Sequence, residues 1–479
     1  MKKYDIIVIG AGSAGLGNAG MANSIGLKTL MIEEHEDNFG GDCTNFGCVP
    51  SKALIHVAKL FHGARKAQEY GMKISGKADM KKVLAYIHKH QAHIKAEEDA
   101  AHHRAQGIDV EIGRARFVNK TTLEVNGKQF TAKKFLLCTG SSPRYLNIPG
   151  IENVTTYTNE TLFFDCKELP DNLMVIGGGA IGCEMAQAFQ RLGSQVTIVD
   201  RGERLLGKER PEISAILGDV FKEEGVQVIH NSTVKSFENG QALVESKDGT
   251  TKNIPLDACL MAVGRIVNTK DMGLDKAGIE LTERGRIKVN DYFRSTNNKV
   301  YVLGDGAGKY MLSHGAEKMV KLLWRNMLNP LFKKKDKIND LSWVTFTDPE
   351  VASFGYSEEQ MNKKLIPYYR QDQTFSEDDR AIVDEYPYGR VSIWIDRLGA
   401  LEDRTIKSAT MIAPKAGDLI QELQLAAEAG IPIGKIANRV YPYPVASRIN
   451  QKTIKGVTDK SFTPFKRRVA KMAFKLFNW

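Results

Sequence analysis

The residues best equipped for chemistry lie in the run Gly40-Gly41-Asp42-Cys43-Thr44-Asn45-Phe46-Gly47-Cys48-Val49-Pro50-Ser51-Lys52. In a regular helix, side chains five positions apart point about 140° away from each other, so bonding Cys43 to Cys48 requires an irregular turn. Gly47 supplies it. Pro50 suits the first turn of a helix over 51–64, which puts Cys48 near a helix N-terminus, where the dipole and free N–H groups stabilise a thiolate. Cys48 is therefore expected to be the lower-pKa sulfur of a redox-active disulfide. A zinc site is the other chemistry that a close cysteine pair offers. It wants CxxC-like spacing and two further ligands, and none stands nearby.

A redox pair needs a source of electrons, and two glycine-rich turns point to one. A strand over 4–9 runs into Gly10-Ala11-Gly12-Ser13-Ala14-Gly15, a small-residue helix, and a strand over 28–32 that closes on Glu33. The pattern recurs as a strand over 173–176, then Gly177-Gly178-Gly179-Ala180-Ile181-Gly182, a helix, and a strand over 195–199 closing on Asp200. Each is a βαβ nucleotide-binding pattern. Its glycines let backbone N–H groups approach a pyrophosphate at a helix N-terminus, and its carboxylate accepts ribose hydroxyls. A lone GxGxxG is weak evidence. Two copies, each placed between a strand and a helix and in register with a carboxylate, imply two dinucleotides.

The chain has 479 residues, enough for two to four domains, and its composition of 42% hydrophobic and 26% charged residues is that of a packed globular protein. With 67 basic against 57 acidic residues it suits an anionic partner. Nucleic acid is not expected, because the basic residues gather at 333–337 and in the final segment rather than in a recognised module. Six cysteines are too few for a secreted disulfide scaffold, so a reducing cytoplasm is the expected compartment. The apolar run Ile6 to Ile9 is too short for a signal peptide, and no stretch reaches the roughly 18 apolar residues of a membrane span.

Taken with these turns, GGDCTNFGCVPSK resembles the active-site signature of the flavin-dependent pyridine nucleotide-disulfide oxidoreductases, the family of glutathione reductase, dihydrolipoamide dehydrogenase and mercuric reductase. The resemblance runs from Met1 to about residue 456. It includes Thr139-Gly140-Ser141 before Pro143, Gly264-Arg265, Gly304-Asp305 with Leu312-Ser313-His314, and Phe346-Thr347-Asp348-Pro349-Glu350. It implies an α/β fold of two Rossmann-like domains, one binding FAD and one NAD(P), plus a C-terminal α+β dimerisation domain. The expected boundaries are 1–150 for FAD, 151–268 for NAD(P), 269–341 for a return to the FAD domain, 342–456 for dimerisation, and 457–479 for a basic amphipathic tail.

By the same resemblance, Gly10, Gly12, Ser13, Gly15, Glu33, Gly41, Thr139, Gly140, Gly304 and Asp305 hold FAD, with Asp305 at the ribityl chain. Gly177, Gly179, Gly182, Asp200 and Gly264 hold the nicotinamide nucleotide. Lys52 and Glu184 pair beside the flavin, Cys48 is the flavin-proximal sulfur, and Cys43 attacks the substrate. A homodimer would then pass a hydride from NAD(P)H through FAD to the Cys43–Cys48 disulfide and on to a small-molecule or metal-ion acceptor. Asp200 favours NADH by meeting a free 2′-hydroxyl, while Arg201 and Arg204 keep NADPH open.

The chain departs from the family at one catalytic position. Disulfide-handling members carry a His-Pro-Thr segment followed by Glu, presented across the dimer as acid-base catalyst. Here Tyr443 and Arg448 stand in those places. A tyrosine of ordinary pKa, about 10, is a poor proton acceptor for thiol exchange. Tyr443 instead resembles mercuric reductase, yet that enzyme's terminal cysteine pair is missing, since no cysteine follows Cys259. The alternatives are a dihydrolipoamide dehydrogenase-like enzyme, a membrane-surface NADH:quinone-type reductase, and a flavin redox sensor without turnover.

Two further features stand outside the signature. One expected helix carries His88, His90, His93, His102 and His103, and its His90, His93 and Glu97 share a face, as metal ligands, as a substitute proton donor or as a plain solvated face. The segment 464–479 has five basic residues and no acidic one. Phe465, Val469, Met472, Leu476 and Trp479 form its apolar stripe, with Arg467, Arg468, Lys471 and Lys475 expected opposite. That pattern fits either a peripheral contact with the inner membrane surface or a clasp on the protein's own body.

Overall fold

The computed structural model describes residues 2–336, 341–458 and 464–476, and it divides into two compact units. The first comprises residues 1–209 and 218–336, the second residues 210–217 and 337–479.

The first unit is built on two large sheets, with a three-stranded and a two-stranded sheet beside them among the described residues. Among the described residues, the larger has seven strands. Asp109–Ile112, Thr29–Glu33, Lys2–Ile9 and Lys128–Leu137 run parallel in that spatial order, Val300–Val302 adds a parallel neighbour to Lys128–Leu137, and Thr122–Val125 and Arg116–Asn119 continue antiparallel. Ile6 to Ile9 is apolar at every position because that end of the strand Lys2–Ile9 is covered on both faces. The second sheet has five described strands, all parallel, ordered Gln227–Ile229, Gln195–Val199, Asn172–Ile176, Ala258–Met261 and Thr155–Tyr157. In both sheets the glycine turn leaves the carboxyl end of a strand lying between two parallel neighbours, the usual place for a nucleotide in an open α/β sheet.

The helix carrying Cys48 begins earlier than the sequence pattern predicts. It spans Cys48–Lys66, so Cys48 is itself the first helical residue and Pro50 the third. Cys43 sits in a separate short helix, Gly41–Asn45. Only glycine fits at the break Phe46–Gly47, because a Cβ on Gly47 would lie 2.8 Å from Asp42 Oδ2 and 2.9 Å from the Asp42 carbonyl oxygen.

The segment carrying the five histidines, expected to be one helix, also differs from the sequence expectation. It holds Met80–Lys95 and Ala100–Ala105 as two helices, with residues 72–79 non-helical. Asp79 and Asp99 start them by accepting hydrogen bonds from backbone N–H groups. The five histidines are therefore divided between two helices, and Glu97 lies past the end of the first.

The second unit folds around a five-stranded antiparallel sheet among the described residues. Its order is Ser342–Thr345, Glu350–Gly355, Ile406–Ala413, Arg390–Asp396 and Tyr368–Thr374. The helices Gln421–Glu428, Ile433–Ala437 and Arg448–Thr458 bury Leu423, Ile433, Ile436, Ile449 and Ile454 in its core. A helix over Pro464–Leu476 buries none of its residues. No helix of the described residues is long and apolar enough to cross a membrane.

Candidate active site

Cys43 and Cys48 are both free thiols, side by side within hydrogen-bonding reach. The Cys48 Sγ also lies 3.3 Å from the hydroxyl of Ser313, the first residue of the helix Ser313–Leu328. The two sulfurs are electrostatically unequal. Cys48 is pulled below the usual thiol range, first by its hydrogen bond with Cys43, then by the Ser313 hydroxyl and the Lys52 charge, against an opposing effect of burial. Cys43 is pushed up by the same pairing and by burial. The reduced pair thus keeps its proton on Cys43 and its negative charge on Cys48, the asymmetry expected of Cys48 from its place at the helix start.

Lys52, one turn into the Cys48 helix, donates from Nζ to Glu184 Oε2 at 2.8 Å. Glu184 belongs to the helix Ala180–Leu192, which packs against Cys48–Lys66, and its side chain is 6% exposed. The expected pair therefore forms, and it ties the cysteine helix to the helix that follows the second glycine turn.

The first turn is shaped for close approach. Gly10 has φ +99°, where a Cβ would lie 2.4 Å from the Cys138 carbonyl oxygen, and a Cβ on Gly15 would lie 1.8 Å from the Gly10 carbonyl oxygen. Gly41 presses on the same turn, its added Cβ falling 2.5 Å from Gly12 Cα. Ser13 opens the helix Ser13–Ser24. Glu33 accepts from the Ala11 N–H at 2.7 Å and the Glu34 N–H at 2.8 Å, while burial pushes its carboxyl above the usual range. A carboxylate kept at the turn against the cost of burial suits a ribose, whose hydroxyls restore the lost solvation. Thr139 donates to the Asn268 carbonyl, and Gly140 at φ +65° has nothing within 4 Å of an added Cβ. Gly304, at φ +65°, leads into Asp305, whose carboxyl is also raised by burial and accepts from Ser141 Oγ at 2.5 Å. This cradle fits FAD.

The second turn repeats the construction. Gly177 has φ +111°, and a Cβ on Gly182 would lie 1.9 Å from the Gly177 carbonyl oxygen. Gly179 and Gly264 have open space where a Cβ would point, which leaves room for a nucleotide against the backbone. Asp200 is half-buried, with Oδ2 close enough to the turn that a Cβ on Gly178 would meet it at 2.8 Å.

A network not foreseen from the sequence joins the cysteine loop to these turns. Arg265 donates from Nη2 to Asp42 Oδ1 at 2.9 Å, from Nε to Ser141 Oγ at 2.7 Å, and from Nη1 to Asn159 Oδ1 at 3.3 Å. Asn159 in turn donates to Asp42 at 3.0 Å. Arg265 and Ser141 sit inside quoted motifs, but nothing local marks Asn159, which lies 117 positions from Asp42.

The histidines do not assemble a metal site. His88, His90 and His93 are exposed, His90 stands edge-on to Tyr86, and His88 bonds to the Phe163 carbonyl. Among the described residues no three His, Cys, Asp or Glu side chains are grouped to hold a metal ion.

Tyr443 belongs to the second unit. It is 69% exposed, its hydroxyl donates to Asp379 Oδ2 at 3.2 Å, and the Arg448 guanidinium lies 5.1 Å from its ring centroid.

Comparison with known proteins agrees with this geometry. The family described as "Pyridine nucleotide-disulphide oxidoreductase" matches residues 4–319, and that family's dimerisation domain matches residues 341–453. The dihydrolipoyl dehydrogenase of Mycoplasma pneumoniae is 33% identical over 452 residues, covering 93% of this chain and 96% of the relative. A mercuric reductase of Bacillus cereus is 32% identical over 452 residues, covering 92% of this chain and 69% of the relative. The solved structure of the HOCl-induced flavoprotein disulfide reductase RclA from Escherichia coli superposes with a TM-score of 0.82 at 25% identity, over 94% of this chain and 99% of that one. With paired cysteines between two nucleotide turns and both family domains in order, the chain belongs to the pyridine nucleotide-disulphide oxidoreductases, a flavoprotein family that binds FAD and NAD(P)H.

Proposed function

We propose that this chain, as a homodimer in a reducing cytoplasm, transfers two electrons from NADH to the Cys43–Cys48 pair and from there to a thiophilic metal ion or a disulfide. The carrying observation is the placement of Cys48 beside Cys43 at the start of its helix, 3.3 Å from the Ser313 hydroxyl and one turn before the Lys52–Glu184 pair, a setting that favours its thiolate. FAD, held by the first turn, Glu33 and Asp305, supplies the two-electron relay between the nucleotide and the sulfurs. The protein's own part is to fix charge and protons. Ser313 and Lys52 stabilise the Cys48 thiolate, Glu184 orients Lys52, and Arg265 fixes the loop through Asp42. Cys43 releases its proton when its sulfur binds the acceptor. Reducing the disulfide takes two electrons and one proton to give this thiolate–thiol pair, and the electrons pass on when the acceptor is reduced and the disulfide re-forms.

A metal-ion acceptor is favoured over lipoamide by the replacement of the acid-base dyad with Tyr443 and Arg448. Thiolate binding of a soft metal displaces the thiol proton without a histidine to collect it. The test is NADH turnover against mercuric and cupric ions, a panel of disulfides, and quinones. Turnover with disulfides alone would overturn the metal preference, and the absence of NADH oxidation with every acceptor would overturn the enzymatic reading.

The nucleotide preference is assigned to Asp200, placed to accept from a free 2′-hydroxyl and to repel a 2′-phosphate. Arg204 is engaged by Glu203 and the Gly207 carbonyl, which leaves exposed Arg201 as the cation at hand for a phosphate. The expected result is a kcat/KM for NADH at least about tenfold above that for NADPH. The reverse ratio would remove Asp200 from this role.

Tyr443 is assigned to the acceptor side, reaching the partner subunit's cysteines. Tyr443→Phe is expected to leave reduction of the flavin by NADH unchanged while slowing its reoxidation by the acceptor roughly 100-fold. Equal reoxidation rates would return the residue to packing.

The helix Pro464–Leu476 is assigned a peripheral membrane contact, with Phe465, Val469, Met472 and Leu476 exposed along one stripe. At about 100° per residue Arg467 falls opposite that stripe and Lys471 well round toward the same side, while Arg468 and Lys475 lie on its flank. From there they reach lipid phosphates while the stripe is immersed. Trp479 lies outside the described residues.

A further inference from the structure

The first unit carries a second surface of the same chemistry, unrelated in sequence to the 464–476 helix. The helix Ser313–Leu328 ends in Leu328-Asn329-Pro330-Leu331-Phe332-Lys333-Lys334-Lys335. Leu331 is 88% exposed, Phe332 76% and Leu328 57%. Three large apolar side chains standing this far into solvent, within five residues, cost solvation with no return inside the chain.

The loop that bears them is nevertheless held firmly. Asn326, buried, donates to the Lys334 carbonyl at 2.8 Å and accepts from the Lys334 N–H at 2.7 Å. Just beyond, Asp336 turns inward, its side chain 3% exposed, to meet Lys318 at 3.1 Å, Lys309 at 3.7 Å and the Tyr310 hydroxyl at 2.9 Å. Both anchors close the base of the loop and leave Leu331 and Phe332 at its tip. A flexible loop would fold its apolar residues back onto the protein, and this one is braced against doing so.

The ground beside the tip is cationic. Burial lowers the pKa of Lys134, and the nearby charges of Arg294, Lys299 and Lys333 lower it further. Lys333 also sits over the Tyr292 ring at 5.8 Å, and Lys334 is exposed. Asp291 offsets the neighbouring Lys335 by pairing with it at 3.1 Å, and Asp336 is withdrawn toward Lys318 and Lys309. Cations held together against their mutual repulsion, next to a braced apolar tip, match an anionic bilayer. The tip enters the acyl boundary, and the ammonium and guanidinium groups meet lipid phosphates.

We propose that the loop 328–335 is a membrane-inserting wedge that docks the first unit on an anionic lipid surface. This rests on the peripheral reading of the enzyme but not on the 464–476 helix, and the two are separable by experiment.

The FAD-loaded full chain and a chain truncated after residue 463 are each prepared with and without Leu331→Ser/Phe332→Ser, and with Lys299→Glu/Lys333→Glu. All are sedimented with vesicles of phosphatidylcholine alone or of phosphatidylcholine and phosphatidylglycerol in equal parts. The serine pair is expected to lower partitioning onto anionic vesicles about tenfold in both the full and the truncated chain. In the truncated chain, which lacks the cationic 464–476 helix, the glutamate pair is expected to abolish the preference for anionic over neutral vesicles. Unchanged partitioning of the serine pair in both backgrounds overturns the wedge, even if truncation alone releases the protein and so upholds the helix. A serine pair that alters the oligomeric state or the melting temperature while binding vesicles normally also overturns it, assigning the loop to a protein contact. If no version binds either vesicle, the wedge and the peripheral reading fall together.

Discussion

Cys48→Ser is expected to abolish the long-wavelength charge-transfer absorbance that NADH produces anaerobically in the wild type, because the thiolate proposed to face the flavin is then gone. Cys43→Ala should show that band without NADH, since Cys48 can no longer be oxidised into the disulfide. Both substitutions should cut acceptor turnover by at least about 1,000-fold, as neither retains a dithiol to exchange. The two differ in their pH dependence. In the wild type the Cys48 thiol is depressed to about 6, chiefly by the hydrogen bond with Cys43. The thiolate is present above that pH and lost as pH falls through it, so the band of the reduced wild-type enzyme should fade below about pH 6. Cys43→Ala removes the largest stabilising contact, so its band should fade at a higher pH, nearer the ordinary thiol value of about 8.5. A band that survives Cys48→Ser, or an unmoved midpoint in Cys43→Ala, would exchange the roles of the two sulfurs.

The same residues show which parts of the site a sequence can disclose. The nucleotide turns were legible because each demand is local. A strand buried on both faces reads as an unbroken apolar run, the tight turn admits only glycine, and the carboxylate ends the next strand. Cys48 was legible in the same way, through the glycine before it and the proline after it, although the helix starts three residues earlier than the proline implied. What stayed hidden depends on distance in the chain. Asp42, Asn159 and Arg265 are joined by hydrogen bonds across more than 100 positions, and only the packing of the sheets brings them together. The histidine face failed for the opposite reason. Periodicity was carried across a helix end at Lys95, so Glu97 was assigned to a face that does not extend to it.

Gly15→Ala and Gly182→Ala should separate the two nucleotide sites more sharply than any charge substitution. In each case the new methyl would sit 1.8–1.9 Å from a backbone carbonyl oxygen, that of Gly10 or Gly177. The oxygen cannot rotate away as a side chain would, because both glycines are fixed at positive φ at the end of a strand, at +99° and +111°. Relief requires the helix to lift off its turn, at a cost of roughly 3 kcal/mol or more. A helix shifted by even about 1 Å withdraws its N–H groups from the pyrophosphate, a displacement that can cost about 100-fold in rate. Gly15→Ala is therefore expected to purify without flavin colour. Gly182→Ala should keep its flavin absorbance and its photochemical reducibility, yet lose at least about 100-fold in the rate of flavin reduction by NADH. The contrast tests the assignment of the turns independently of the acceptor, since flavin content and anaerobic reduction need none. Loss of flavin from Gly182→Ala with retention in Gly15→Ala would reverse the assignment. Because Lys52 meets Glu184 on the helix that Gly182 anchors, the Gly182→Ala protein should also show an altered Cys48 midpoint, through a lysine no longer held in place.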